Sequence, residues 1–292
     1  MFIPPMLASP LPNKKKNPKA KDFTLEPGKW VAEEKFDGIR LITEVSAAKD
    51  RLFVEKGITS WSRYANVRPL PEHIMEKLAA LPDCIIDGEL CAPGKRSYGT
   101  MELANAPDLV YFVFDVLQIE GEDVTAAPYL DRRHALKDLV DFTDNDGPLQ
   151  LAPAIAVNTW DEVFTLRDAV WARDGEGLIL KRLDAPYSPG KRSKDFIKIK
   201  QLQSALFTII GFVASRGEIN DRGPFAMVKL LDDEGNITAV KTKNDAQLAK
   251  FAEESRAGGV HPALGRKLWC EYQERTPDGS YRHIRWDHWE NE

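Results

Sequence analysis

Lys35 is the side chain in this sequence best placed for covalent chemistry. It stands in Val31-Ala32-Glu33-Glu34-Lys35-Phe36-Asp37-Gly38-Ile39-Arg40, where an apolar lead-in meets Lys, Asp, Gly and Arg and returns through Leu41-Ile42-Thr43. An amine is a nucleophile only when neutral, and a free lysine amine with a pKa near ~10.4 is almost wholly protonated at pH 7. Chemistry by Lys35 therefore needs desolvation or neighbouring cations that lower its pKa. Lys198 and Lys200 alternate with Ile197 and Ile199, so both project from one face of a strand, where their mutual repulsion is one way to supply that effect. Carboxylates are also at hand, in Asp87-Gly88-Glu89 and in Glu176-Gly177, with Lys181 at the far end of the run that Glu176 opens. The same lysine pattern suits a solvated surface turn, and the elements around it decide between the two.

Asp37-Gly38 is a hairpin signal, since Gly supplies a positive φ and Asp tolerates one. The spacing predicts strand, tight turn, strand, with the Lys35 amine held at the end of a sheet. Leu52-Phe53-Val54 and the run 59–66 read as strand leading into a polar turn that carries Ser62 and Arg63. Residues 71–81 have helical spacing in Ile74, Leu78 and Leu81, with Pro71 suited to the first turn. Residues 84–90 form a strand that ends in a turn at Asp87-Gly88-Glu89, and 111–117 is an apolar run long enough for a buried central strand. Phe114 in such a run is core by default. Residues 129–140 read as a helix. Thr159-Trp160-Asp161-Glu162 is a capping box opening a helix that buries Trp160, Val163, Phe164 and Val170 and stops at Gly175.

Past Gln201 the texture changes to short strands and tight turns. Residues 205–215, 225–231, 237–241, 268–273 and 281–285 are five strand candidates, interrupted by a helical stretch over 245–254. Asp232-Asp233-Glu234-Gly235 and Thr276-Pro277-Asp278-Gly279 are turns. That set suits a small β-barrel of the oligonucleotide-binding type. Two domains are expected, residues 1–201 and 202–292, as fits a chain of 292 residues.

Composition narrows the class. With 43% hydrophobic and 29% charged residues the chain reads as an ordinary globular protein, and no run approaches a membrane span or a signal-peptide core, so an intracellular location without a membrane is expected. Cys84, Cys91 and Cys270 form no C-x-x-C pair, which indicates neither a disulfide framework nor a zinc site. The net charge of −5 argues against non-specific coating of nucleic acid. Yet residues 181–200 hold seven basic residues (Lys181, Arg182, Lys191, Arg192, Lys194, Lys198, Lys200) against Asp184 and Asp195, a local net of +5. A second basic run, Lys14-Lys15-Lys16-Asn17-Pro18-Lys19, lies in a proline-punctuated arm at 1–22.

The order and spacing of these pieces resemble the ATP-dependent DNA ligases over nearly the whole chain. Lys35 to Arg40 matches the nucleophile motif K-x-D-G-x-R. Ser62-Arg63, Asp87-Gly88-Glu89, Phe114-Asp115, Glu176-Gly177 with Lys181, and Lys198-Ile199-Lys200 resemble the motifs that follow it. Pro5-Met6-Leu7-Ala8 resembles an opening common in DNA ligases, and the run 187–200 is also ligase-like. The last motif, R-x-D-K, appears as Arg285-Trp286-Asp287-His288, with His288 departing from the pattern.

The resemblance implies an α+β fold, an adenylation (nucleotidyltransferase) domain of antiparallel sheets and flanking helices followed by an OB-fold barrel. It implies that Lys35 takes AMP from ATP, with Asp37, Lys198 and Lys200 in catalysis. Glu33, Arg40, Arg63, Glu89, Phe114, Glu176, Lys181, Arg285 and Asp287 would contact the nucleotide or its phosphates, Phe114 by stacking on adenine. Glu89 and Glu176 would hold Mg²⁺ or Mn²⁺. Lys191, Arg192 and Lys194 would grip phosphates of the duplex. The implied substrate is nicked double-stranded DNA, sealed by a monomeric two-domain enzyme. RNA ligases and mRNA capping enzymes share the lysine motif and are the alternatives, as is a non-catalytic nick or end binder on the same fold. An NAD-dependent ligase would bring a cysteine-rich zinc module that this sequence lacks.

Overall fold

The computed structural model describes residues 2–12, 23–47, 56–92, 108–140, 147–214, 225–242, 245–256, 260–276 and 279–291. The basic run 14–19 and the expected strand 52–54 lie outside them. The chain divides into two compact units, Met1–Ile199 and Lys200–Glu292.

The first unit holds two sheets. One has the order β1-β11-β10-β2-β9, built from Leu7–Pro10 (β1), Trp30–Glu34 (β2), Ala154–Val157 (β9), Gly177–Arg182 (β10) and Arg192–Lys200 (β11). The other runs β4-β3-β5-β6-β7, from Ile39–Ala47 (β3), Lys56–Ser62 (β4), Cys84–Cys91 (β5), Val110–Ile119 (β6) and Glu122–Asp123 (β7), and Leu149–Leu151 (β8) joins β6 in parallel. Strand alternation sorts the side chains into layers. Leu41, Ile86 and Val116 face the helices Glu72–Ala79 (α1) and Tyr129–Val140 (α2), while Ile42, Ile85 and Leu117 face the other way, onto Val31, Phe196, Met6 and Tyr187. The two sheets thus share one core, which brings strand ends from both to a common edge. The helix Trp160–Trp171 (α3) covers the outer face of the first sheet through Val163 and Val170.

The predicted helices form with small changes at their ends. Pro71 is the N-cap of α1, and the Thr159 capping box is made in full, with Thr159 Oγ1 accepting from the Glu162 amide at 3.2 Å and the Glu162 carboxylate accepting from the Thr159 amide at 3.3 Å. Phe164 is not buried as expected. It is 38% exposed, and the Arg167 guanidinium lies 4.5 Å from its ring centroid.

The Lys35 hairpin does not form. β2 pairs with β10 and β9, whereas β3 pairs with β4 and β5, so Lys35-Phe36-Asp37-Gly38 is a crossing from one sheet to the other. Gly38 does not adopt a positive φ; it is needed because a Cβ there would lie 2.1 Å from the Leu90 carbonyl oxygen and 2.8 Å from Cys91 Sγ. Nor does β5 end in a turn at Gly88. The strand continues to Cys91, and Gly88 admits the Phe112 carbonyl and the Tyr111 ring, each 2.7 Å from where its Cβ would be.

In the second unit Gln203–Ala214 (β12), Phe225–Leu231 (β13), Ile237–Val240 (β14), Lys267–Tyr272 (β15) and Arg285–Trp289 (β18) form an open path β14-β13-β12-β15-β18. Among the described residues it does not close into the expected barrel. Tyr281–Arg282 (β17), expected to open the fifth long strand, instead makes a two-stranded ribbon with Glu274–Arg275 (β16), and the helix Asp245–Arg256 (α4) interrupts the strands where expected. All three cysteines are buried and free, and among the described residues no helix is long and apolar enough to cross a membrane.

Candidate active site

Lys35 emerges where β2 ends. Its amide donates to the Gly177 carbonyl at 2.8 Å, and its ammonium is hydrogen-bonded to the carboxylate of Glu176, the residue before β10. The amine is 23% exposed and Glu176 only 3%, so the pair stands at the rim of a closed floor. Where the sequence asks for desolvation or neighbouring cations to activate the amine, the side chain hydrogen-bonded to it is a carboxylate.

Across the gap, β3 and β5 supply Arg40 and Glu89 as directly opposed residues. Asp87, two residues before Glu89, shares its face. Arg40 holds Asp87 with two bonds, Nε to Oδ1 at 2.9 Å and Nη2 to Oδ2 at 2.6 Å. Burial opposes a guanidinium charge there, yet the charge and hydrogen bonds of Asp87 more than offset it and hold the Arg40 pKa above its ordinary value. Glu89 accepts from the Gly38 amide at 3.2 Å. Burial pushes its carboxyl up to about 7, against the pull of Lys35 and Arg40 and with a smaller push from Glu176. Lys35, Arg40, Glu89 and Glu176 therefore share one electrostatic environment. Two oxygen donors of this kind suit a hard divalent cation that fills its other positions with water and phosphate. Among the described residues no three His, Cys, Asp or Glu side chains cluster as a metal site.

Phe114 reaches the same edge through a bulge. The β5–β6 register passes from Asp87↔Asp115 to Gly88↔Val113, leaving Phe114 without an opposite residue, and such an insertion re-aims a side chain out of a buried strand. Phe114 is half-buried, with Arg40 5.4 Å and Lys181 4.7 Å from its ring centroid. Lys181 is 2% exposed, pairs with Glu33 at 2.7 Å and donates to the Phe114 carbonyl at 3.2 Å. Burial lowers its pKa, and the Glu33 charge partly offsets that. The other oxygen of Glu33 accepts from the Tyr129 hydroxyl. Glu33, Lys181 and Phe114 thus form one wall beside the Lys35 floor.

Arg63 is exposed on the turn after β4, folded over the Tyr64 ring at 4.5 Å. Lys198 is half-buried between Ile197 and Ile199 on β11, and Lys200 donates to Gln273 at 3.2 Å within the second unit. Asp37 lies half-buried in the crossing segment. Arg285 is exposed on β18, where Asp287 lies 3.0 Å from His288 Nδ1. Lys191 and Lys194 are exposed, as is Arg192, which donates to the Ala8 carbonyl.

Residues 5–200 match the family model described as the ATP dependent DNA ligase domain. The chain belongs to that family. It is 26% identical over 289 residues to a probable DNA ligase of Dictyoglomus thermophilum, covering 87% of this chain and 48% of the relative. It is likewise 26% identical over 223 residues to the bifunctional non-homologous end joining protein LigD of Bacillus subtilis, covering 67% and 36%. The chain therefore spans half or less of the length of these curated relatives. A solved Lig E DNA ligase structure superposes with a TM-score of 0.71 at 18% identity, covering 97% of this chain and 98% of that one. The fold is thus the mixed α+β, nucleotidyltransferase-like fold of this ligase family.

Two ion pairs at the site do not follow from the motif pattern. Asp87 stands in the Asp87-Gly88-Glu89 motif, but its pairing with Arg40 becomes visible only when β3 and β5 are set in register. Arg132 on α2 grips Asp115 at 2.7 and 3.0 Å, both residues buried, and nothing in the helical spacing of 129–140 marks it.

Proposed function

We propose that this chain is an ATP-dependent DNA ligase that seals 5′-phosphate/3′-hydroxyl nicks in duplex DNA through an AMP carried on Lys35. The observation that carries the proposal is Lys35 at the crossing between two sheets, its ammonium on Glu176, with Arg40 and Glu89 delivered from the opposite sheet. The lysyl-AMP route is general to the family, and the chain's membership supports it here.

In the first step the Lys35 ammonium must first give up a proton, for which Glu176, already bonded to it, is placed as acceptor. The neutral amine then attacks the α-phosphorus of ATP, the N–P bond forms, the bond to pyrophosphate breaks, and the second proton on nitrogen passes to solvent or the departing pyrophosphate. Arg40, with Lys198 and Lys200, would face the charge that builds on the phosphate oxygens. Mg²⁺ or Mn²⁺ on Glu89 and Glu176 would neutralise phosphate charge when bound. Phe114 would stack on adenine, beside Glu33 and Lys181. A DNA 5′-phosphate oxygen then displaces Lys35 from the AMP, and the 3′-hydroxyl attacks that 5′-phosphorus and releases AMP. The second unit is proposed to be of the OB type, with Arg285 and Asp287 acting on the departing pyrophosphate.

Intact mass after incubation with ATP and Mg²⁺, followed by sealing of a nicked duplex, tests this. The wild type should gain one AMP and seal, and Lys35→Ala should do neither while melting normally. Adduct formation in Lys35→Ala, mapped to another lysine, or binding of nicked DNA without any adduct in the wild type, would overturn it.

A further inference from the structure

The buried hydroxyl of Tyr187 connects the start of the chain to the arginine of the site. Tyr187 is 3% exposed, and its hydroxyl donates to Asp87 Oδ2 at 2.7 Å while accepting the Met6 amide at 2.9 Å. Asp87, fully buried, spends both oxygens on Arg40. A continuous relay therefore runs Met6 N–H, Tyr187 O–H, Asp87, Arg40, and ends over Phe114. Burial and the facing Asp87 carboxylate keep the phenol protonated, which fixes the direction of donation. The anchor end is sewn down as well. Leu7 N–H donates to Lys191 O at 2.8 Å, Gly190 N–H to Pro4 O at 2.9 Å, and β1 pairs in parallel with β11.

We infer that Tyr187 is a positioning residue for nucleotide binding, acting through Asp87 to hold the Arg40 guanidinium at the pocket, with the N-terminal segment as its anchor. Chemically, a carboxylate gripping a guanidinium in bidentate fashion can still pivot with it as one rigid pair. A third bond to one oxygen, from a hydroxyl fixed at both ends, removes that freedom. The adjacent Arg132 has its own carboxylate, Asp115, so it does not compete for Asp87. This inference rests on the ligase reading, since only a nucleotide pocket gives Arg40 something to hold.

The test is a double-mutant cycle on self-adenylation, with half-saturating ATP and the fraction of enzyme charged measured separately. Tyr187→Phe keeps the ring and removes the hydroxyl. It should raise half-saturating ATP about three- to tenfold with the charged fraction unchanged, as loss of a hydrogen bond to a charged group does. In an Arg40→Gln background the same change should have no further effect, because the relay then ends on nothing. If Tyr187 is only structural, Tyr187→Phe lowers the melting temperature or the charged fraction, leaves half-saturating ATP alone, and adds independently to Arg40→Gln; that result overturns the relay. A wild type that takes no AMP overturns the ligase reading itself, whereas a charging wild type with an additive cycle overturns only the role of Tyr187.

Discussion

Glu89 shows what burial does to a carboxyl at the candidate site. Its pKa rises from 4.5 unfolded to about 7 folded because burial penalises the charge. Between those values the folded state keeps a proton that the unfolded state has released, so its contribution to stability is full below pH 4.5 and is lost as the pH rises through 7. Glu89→Gln, which mimics the protonated form, should therefore melt like the wild type at pH 4 and be more stable at pH 8. We expect about 2 kcal/mol in the ligand-free protein, discounted for the partial exposure of the side chain. Denaturant melts at the two pH values check this, and equal stabilities at both would refute it. At this scale residue type and spacing were enough to single out Lys35, Glu89 and Glu176, which the fold brings together. What the sequence hid was the pairing of Asp87 with Arg40, of Tyr187 with Asp87 and of Arg132 with Asp115, partners 47, 100 and 17 residues apart that are chosen by register and packing.

Elements were legible where the signal is local and failed where tertiary contact overrode it. The capping box at Thr159 and the helix over 129–140 need only neighbouring residues, and both form. Asp37-Gly38 carries the same residues as a hairpin turn, but the glycine answers to Leu90 and Cys91 on another strand. Gly38→Ala should accordingly destabilise by about 3 kcal/mol or more, since the contact is with backbone and cannot yield cheaply. An unchanged thermal midpoint would show that the crossing segment can shift. In the second unit the turn at Asp232 is a comparable junction. Asp232 accepts from the Glu234 and Asn236 amides at 3.0 and 2.7 Å, from Tyr281 at 2.5 Å and from Arg275 at 3.3 Å. Burial opposes its charge, but these donors prevail and hold the carboxyl at about 2. Its stabilisation is present above the unfolded pKa near 3.8 and is lost as the pH falls towards 2. Asp232→Asn should cost about 1–2 kcal/mol at pH 7 and next to nothing at pH 2, measured by denaturant titration.

At the scale of the whole molecule, the ligase proposal asks an acidic chain to concentrate its positive charge where DNA would bind. The count over 181–200 overstates that concentration, because the fold uses several of these cations internally. Lys181 is buried against Glu33, Arg182 is bonded to Asp184 and Glu26, and Arg192 donates to the Ala8 carbonyl. Lys191 and Lys194 remain exposed on β11 and the turn before it. Phosphate contacts contribute sequence-independent affinity that weakens with salt, with close to one condensed counterion released per phosphate neutralised. If these two lysines touch the duplex beside the nick, Lys191→Ala with Lys194→Ala should weaken nicked-duplex binding and flatten the plot of log K against log salt by about 2 units. Self-adenylation, which needs no DNA, is the internal comparison, because it separates a lost DNA contact from a damaged nucleotide pocket. A salt slope equal to that of the wild type would place the DNA-facing charge elsewhere in the chain.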